Sequence, residues 1–260
     1  MTPLHQSRPP HDVPPPAEML NQLRERLHLW IVRVNEPLDT TWAAHNEPIL
    51  SDEERDRHRR YRRARDRDLF LVSHVVARQV LSCYFPIEAG EWSFETNQYG
   101  RPEIVSPGAP RGLRFNLSHT DGMIALLVHD GLDSGVDVER IGRIDDLLGM
   151  SATVFADPER TEFLSLPSEQ QEDRFYRLWT MKEAFIKAKG MGLALPLNDF
   201  WFESENEGKF RFSCVEDVEQ DPAAWHFTLH RPSPHHIIAT ACRSGSDRPA
   251  REVEVFEIAV

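Results

Sequence analysis

Three carboxylates and one ammonium in this sequence could together serve phosphate chemistry if the fold packs them side by side. Asp137-Val138-Glu139 sits in an alternating segment, and because strand side chains switch faces at every residue, both acids share one face while Val136 and Val138 take the other. Two hard oxygen donors on one surface suit Mg²⁺, which usually takes one or two carboxylates and fills its shell with water and phosphate oxygens. A solvated strand edge would carry the same pair, and spacing alone does not choose. In the segment RFYRLWTMKEAFIKAKG, Trp179, Glu183 and Lys187 fall four apart and so lie along one helical ridge. Taken structurally, Glu183 and Lys187 form a surface pair contributing ~0.3–0.5 kcal/mol beside a buried stripe of Phe175, Leu178 and Phe185. Taken chemically, Glu183 joins Asp137 and Glu139 around a divalent ion, with Lys187 behind it as a second cationic partner for an anionic phosphate.

Regular elements must bring these residues together. Leu27–Val34 is rich in β-branched and aromatic residues and predicts a strand. Ser51 before Asp52-Glu53-Glu54 predicts a helix start, opening a stretch from Arg55 to Arg67 with eight arginines against two aspartates. Leu69, Val72, Val76, Val80 and Leu81 continue at near-helical spacing until Pro86. LRFNLSH predicts a short strand, and Met123–Val128 and Gly135–Ile141 predict two more, joined as a hairpin through HDGLDSG. Helices are expected over 158–166 and 171–189, the second stopped by Gly190 in a left-handed cap. Strands return at 201–202, 210–212, 225–229, 237–241 and 253–258. Helices followed by antiparallel strands in both halves favour an α+β chain of two related subdomains over a doubly wound parallel sheet.

Composition narrows the function. Hydrophobic residues at 40% and charged residues at 28% are enough for a packed core. No apolar run approaches the ~20 residues of a bilayer span, and no secretory leader is legible. Cys83, Cys214 and Cys242 are widely spaced and make neither a disulfide framework nor a zinc motif, which fits a reducing cytoplasm. A net charge of -12 argues against general nucleic-acid binding, although the arginine stretch and Tyr61 leave a nucleic-acid binder as one alternative. A Mg²⁺-dependent phosphohydrolase using the same three acids is another. All four lysines (Lys182, Lys187, Lys189, Lys209) fall between 182 and 209, in a chain that otherwise uses arginine. Ser118-His119 does not make a nucleophile–base pair, since neighbours on a strand face opposite ways. With no GxSxG, GxxxxGKS or GxGxxG, a phosphate must be held by side chains.

Four blocks together carry a family resemblance: GRP at 100–102, FNLSH at 115–119, GVDVE at 135–139 and WTMKEAFIKAKGMGL at 179–193. In this order and spacing the chain resembles the 4′-phosphopantetheinyl transferases, in the larger, monomeric, pseudo-dimeric form that activates polyketide and nonribosomal peptide synthetases. The resemblance runs from about Leu50 to the C-terminus. Residues 1–16, with Pro3, Pro9, Pro10 and the run Pro14-Pro15-Pro16, read as a disordered or polyproline leader outside the fold, and the resemblance implies two similar α/β subdomains in a pseudo-two-fold arrangement, an N-terminal one at 17–124 and a C-terminal one at 125–260 carrying the metal site. Coenzyme A would lie in the cleft between the halves.

By the same resemblance, Asp137, Glu139 and Glu183 hold Mg²⁺ against the coenzyme A pyrophosphate. Lys187 assists departure of 3′,5′-ADP, and Lys182 adds a nearby charge. Asn116, Ser118 and His119 contact coenzyme A, His119 at the 3′-phosphate, with Gly100, Arg101 and Pro102 beside the adenine nucleotide. Arg101 stands where many relatives carry lysine. Arg57, Arg60 and Arg67 match basic positions of the N-terminal helix, and Glu159 falls where a further acid often lies near the metal. The implied reaction moves phosphopantetheine to a serine of an apo acyl or peptidyl carrier protein, with Glu183, acting directly or through a metal-bound water, as the candidate base; neither nucleic acid nor membrane is an expected partner.

Overall fold

The computed structural model describes residues 13–35, 37–192, 195–205, 209–244 and 250–260. These divide into two compact units: residues up to Asn97 with Pro102–Gly131 and Glu252–Val260, and Gln98–Arg101 with Leu132–Arg251. The expected boundary at 124/125 therefore moves to 131/132, and the C-terminal strand belongs to the first unit. Most of the expected Pro-rich leader lies outside the described residues. Its last member, Pro16, instead opens a helix as an N1 proline, a position where the missing N–H has no intrahelical role.

In the first unit, helix α1 (Pro16–Gln22) precedes strand β1 (Arg26–Arg33), followed by α2 (Thr40–Asn46), α3 (Asp52–Arg60) and α4 (Ala64–Leu81). Ser51 caps α3 as its sequence predicts: its hydroxyl accepts from Glu54 N, and Glu54 bonds back to Ser51 N. The arginine stretch is not one helix. Tyr61–Arg63 interrupt it, so the eight arginines divide among α3, a link and the first turn of α4. The short strands β2 (Phe94–Thr96) and β3 (Pro102–Ile104) pair with each other, and β4 (Leu113–Thr120) pairs with β5 (Met123–Asp130).

The second unit contains β6 (Ser134–Arg140), α5 (Leu147–Val154), α6 (Asp157–Ser165), α7 (Ser168–Lys189), the hairpin of β7 (Phe200–Ser204) and β8 (Phe210–Cys214), β9 (Trp225–Ser233) and β10 (His236–Arg243). The last strand, β11 (Glu252–Ala259), returns to the first unit and runs parallel to β1. Strand orders are β11-β1-β5-β4 in the first unit and β6-β10-β9 in the second. The α+β class holds.

One expected pairing does not form: β5 and β6 are in different sheets and make no hairpin. β5 turns back on β4 through Asp121-Gly122, with Gly122 at φ 76°, a backbone angle that suits glycine. Its run from Met123 to Val128 is buried throughout, flanked by β1 on one edge and β4 on the other. No edge of β5 remains for β6, which pairs with β10 instead. In the first core, Val72, Val75, Val76 and Val80 of α4 cluster with Trp30, Leu126 and Val128. The second core gathers Phe175, Leu178, Phe185 and Ala188 of α7 with Phe200, Phe212, Ala239 and Ala241.

Candidate active site

The site is built by α7 lying across β6. Placing Glu169 in the first turn and Lys187 and Lys189 in the last complements the helix dipole at both ends. Gly190, at φ 64°, ends the helix by donating its N–H to Ile186 O and Lys187 O. Gly135 allows the helix to come down onto the strand, because a Cβ there would overlap the carbonyl oxygen of Ala184 and the amide of Ala188. Glycine inside a strand commonly marks such a close backbone approach. The sequence carries that signal at the start of GVDVE.

With α7 seated, its ridge meets the carboxylates of β6. Lys187 Nζ donates to Asp137 Oδ1 at 2.6 Å, and the indole N–H of Trp179 donates to Glu139 Oε1 at 2.7 Å. Both acids thus project to the helix side, as strand alternation predicts. Asp137 is 4% exposed, whereas Glu139 and Glu183 are half-buried. Glu183, one helical turn from both Trp179 and Lys187, accepts no hydrogen bond among the described residues but feels the charges of Asp137 and Lys187. Lys187 is bonded to Asp137 rather than to its i−4 neighbour, so the simple surface pair is not what forms.

Excess negative charge defines the electrostatics. Burial pushes the Glu139 carboxyl up to about 7, Asp137 and Glu183 push in the same direction, and the Trp179 hydrogen bond and Lys187 oppose them. Glu183 is likewise raised, first by burial and then by Asp137, against the pull of Lys187. Carboxylates that raise one another in a low-dielectric setting are short of positive charge. Among the described residues no three acids, histidines or cysteines are already gathered as a metal-binding group. The donor set nevertheless fits a hard divalent cation, since it offers only oxygen ligands and, among the described residues, its three acids face the single ammonium of Lys187.

The other expected residues divide by unit. In the second unit Arg101 lies over the end of α7, its Nη1 2.8 Å from where a Cβ on Gly190 would stand. Gly100 turns the chain at φ 86°, and Pro102 opens β3 in the first unit. Leu193, the last residue of the fourth block, lies outside the described residues. In the first unit Asn116 and Ser118 are buried on β4 and His119 is exposed, which keeps the serine and histidine on opposite faces. Arg57, Arg60 and Arg67 are exposed, with the Arg57 guanidinium 5.4 Å over the Phe70 ring.

Lys182 requires a correction. Expected beside the phosphates, it is fully buried, 2.8 Å from Glu159 Oε2, and the Glu159 side chain is equally buried. Its ammonium also donates to Leu197 O at 2.8 Å and Phe200 O at 2.6 Å. Glu159 accepts from Ala156 N and Phe202 N, both at 3.0 Å. The pair is therefore a satisfied internal pin tying α6, α7 and β7 together, and neither member is available to a ligand. One residue along a helix swings a side chain ~100°, so Lys182 points into the core while Glu183 points to β6.

The second unit thus brings Asp137, Glu139, Glu183 and Lys187 together where α7 crosses β6. The sequence matches the family model described as the 4′-phosphopantetheinyl transferase superfamily over residues 134–242, and the model for the N-terminal part of a 4′-phosphopantetheinyl transferase over 35–130. Among similar proteins, 4′-phosphopantetheinyl transferase ffp of Bacillus subtilis is 31% identical over 190 residues, covering 73% of this chain and 82% of the relative. The transferase Sfp of Bacillus subtilis strain 168 is 33% identical, covering 62% and 69%. HetI of a Nostoc species is 31% identical, covering 69% and 75%. The chain belongs to the 4′-phosphopantetheinyl transferase superfamily and is an enzyme of that type.

Proposed function

We propose that this enzyme transfers 4′-phosphopantetheine from coenzyme A to a serine of an apo acyl or peptidyl carrier protein in a Mg²⁺-dependent reaction, releasing 3′,5′-ADP. One observation carries the reading: Glu183 stands by Asp137 and Lys187 with its carboxyl raised by burial and by Asp137. Asp137, Glu139 and Glu183 would hold the metal, which when bound supplies charge neutralisation at the pyrophosphate. The carrier serine oxygen forms a bond to the β-phosphorus, and the pyrophosphate P–O bond breaks toward 3′,5′-ADP. Lys187 holds charge developing on the phosphate oxygens, the dominant requirement in such transfers. Glu183 takes the serine proton, a role that suits a carboxyl with an elevated pKa.

Coenzyme A contacts are assigned to Arg57, Arg60, Arg67, Asn116, Ser118 and His119 in the first unit, and to Gly100, Arg101 and Lys187 in the second, with Pro102 alongside. No described helix is long and apolar enough to cross a membrane. Cys83, Cys214 and Cys242 are free, which supports a reducing cytoplasmic setting; we assign the enzyme a monomeric state there. The test incubates the enzyme with coenzyme A and an apo carrier domain, with and without Mg²⁺, and weighs the carrier. A gain of one phosphopantetheine that requires both coenzyme A and Mg²⁺ is expected. Phosphate release with an unmodified carrier would make the protein a hydrolase and overturn the proposal.

A further inference from the structure

The two strand acids are held by unlike donors. Asp137 meets an ammonium, whereas Glu139 meets a neutral indole N–H through Oε1 alone. No other hydrogen bond to Glu139 occurs among the described residues, so Oε2 stays uncommitted. The indole is itself fixed, because the Trp179 ring stacks on Phe175, with an interplanar angle of 10° and centroids 6.4 Å apart, and packs against the second core. An ammonium at this position would add a second positive charge to a site that already holds Lys187. An indole cannot do so, because its N–H is a donor without formal charge.

We propose that Trp179 is a positioning residue that orients the Glu139 carboxylate for a divalent cation by binding one oxygen and leaving the second for the metal. This inference rests on the metal role given to Asp137, Glu139 and Glu183 above. Outer-shell hydrogen bonds to metal ligands fix ligand orientation, and losing one typically weakens metal binding about 10–100-fold. Trp179 acts through Glu139 and touches neither phosphate nor serine in this account. Its loss should therefore change metal affinity while leaving metal-free coenzyme A binding as it was.

The test titrates Mn²⁺ into the coenzyme A complex of the full chain and reads free Mn²⁺ by electron paramagnetic resonance, without turnover. Trp179→Phe keeps an aromatic ring on Phe175 and removes the N–H. We expect Mn²⁺ to bind it at least about 10-fold more weakly than wild type, with metal-free coenzyme A affinity unchanged. Wild-type Mn²⁺ affinity in a folded Trp179→Phe protein overturns the positioning role alone. Absence of Mn²⁺ binding by wild type overturns the metal reading and this inference with it. If Trp179→Phe loses its cooperative melt, benzothienylalanine placed at position 179 keeps the bicyclic shape and removes only the donor. The same fall is expected there, and unchanged affinity refutes the proposal.

Discussion

Glu54 and Glu183 are both half-buried helical glutamates, one in each unit, and their surroundings are opposite. Against the upward push of burial, the hydrogen bonds from His74 at 2.9 Å and Ser51 N at 2.8 Å, with the charge of Arg78, draw the Glu54 carboxyl down to about 2. Arg78 itself is buried and bonds Glu54 at 2.7 Å. Burial also acts on Glu183, but there Asp137 adds to the push and only Lys187 opposes it. A carboxylate matched on every side is a structural joint. One left with excess negative charge around it suits the cation-binding role proposed for Glu183, and the fold tolerates the repulsion because α7 and α6 are pinned through Lys182 and Glu159.

Substitutions should separate the two glutamates. The largest effect is expected from Glu183→Gln, which removes the proposed base and one proposed metal ligand: transfer should fall on the order of 10²–10⁴-fold or more. Its melting temperature without Mg²⁺ should stay level or rise, since the change relieves like-charge repulsion. A clear drop in metal-free stability would break the contrast with Glu54.

Next comes the internal pin. Lys182→Ala leaves Glu159 buried without its cation and should cost about 3–5 kcal/mol by chemical denaturation, whereas Lys182→Met with Glu159→Leu should recover much of that loss. The folded double variant should keep the wild-type KM for coenzyme A; a raised KM would return Lys182 to the ligand. Glu54→Gln should then cost about 1–3 kcal/mol, because it weakens the partner of a buried guanidinium, with any loss of activity tracking the unfolded fraction.

The smallest effect is a slope with pH. Glu54 titrates at about 2 in the folded chain against 4.5 as an ordinary glutamate, so its stabilisation is present above about pH 4.5 and is lost as pH falls toward 2. His28, fully buried between Tyr84 and Glu254, is lowered to about 4 from 6.5, first by burial. The unfolded chain therefore takes up that proton first, and stability should decline as pH falls from 6.5 to 4. Denaturation midpoints across this range should fall in wild type, and the portion below pH 4.5 should flatten in Glu54→Gln. A slope identical in both proteins would show that Glu54 is not the matched carboxylate described here.

The amino-acid pattern told more about the chemistry than about the connections. Strand alternation was enough to place Asp137 and Glu139 on one face, and four-residue spacing was enough to align Trp179, Glu183 and Lys187. The pairing of β6 with β10 was not legible, because a turn-like HDGLDSG looks the same whether the next strand folds back or joins another sheet. Lys182 departs from what the resemblance implies because helix geometry turns it ~100° away from its neighbour Glu183 and into the core. The break at Tyr61–Arg63 carries no glycine or proline to announce it. Gly135 was visible as a glycine within a strand, yet its purpose emerges only once the Ala184 and Ala188 backbone lies against it.

The most direct test of the claim that the acids of β6 and α7 are held for a divalent ion is the melting temperature of the coenzyme A complex, measured across a Mg²⁺ titration in wild type and Glu183→Gln. Binding to the folded state alone must raise stability with ligand concentration. Wild type should melt progressively higher as Mg²⁺ rises, and Glu183→Gln should show little or none of that gain. Equal stabilisation of both proteins, or none in wild type, would contradict it.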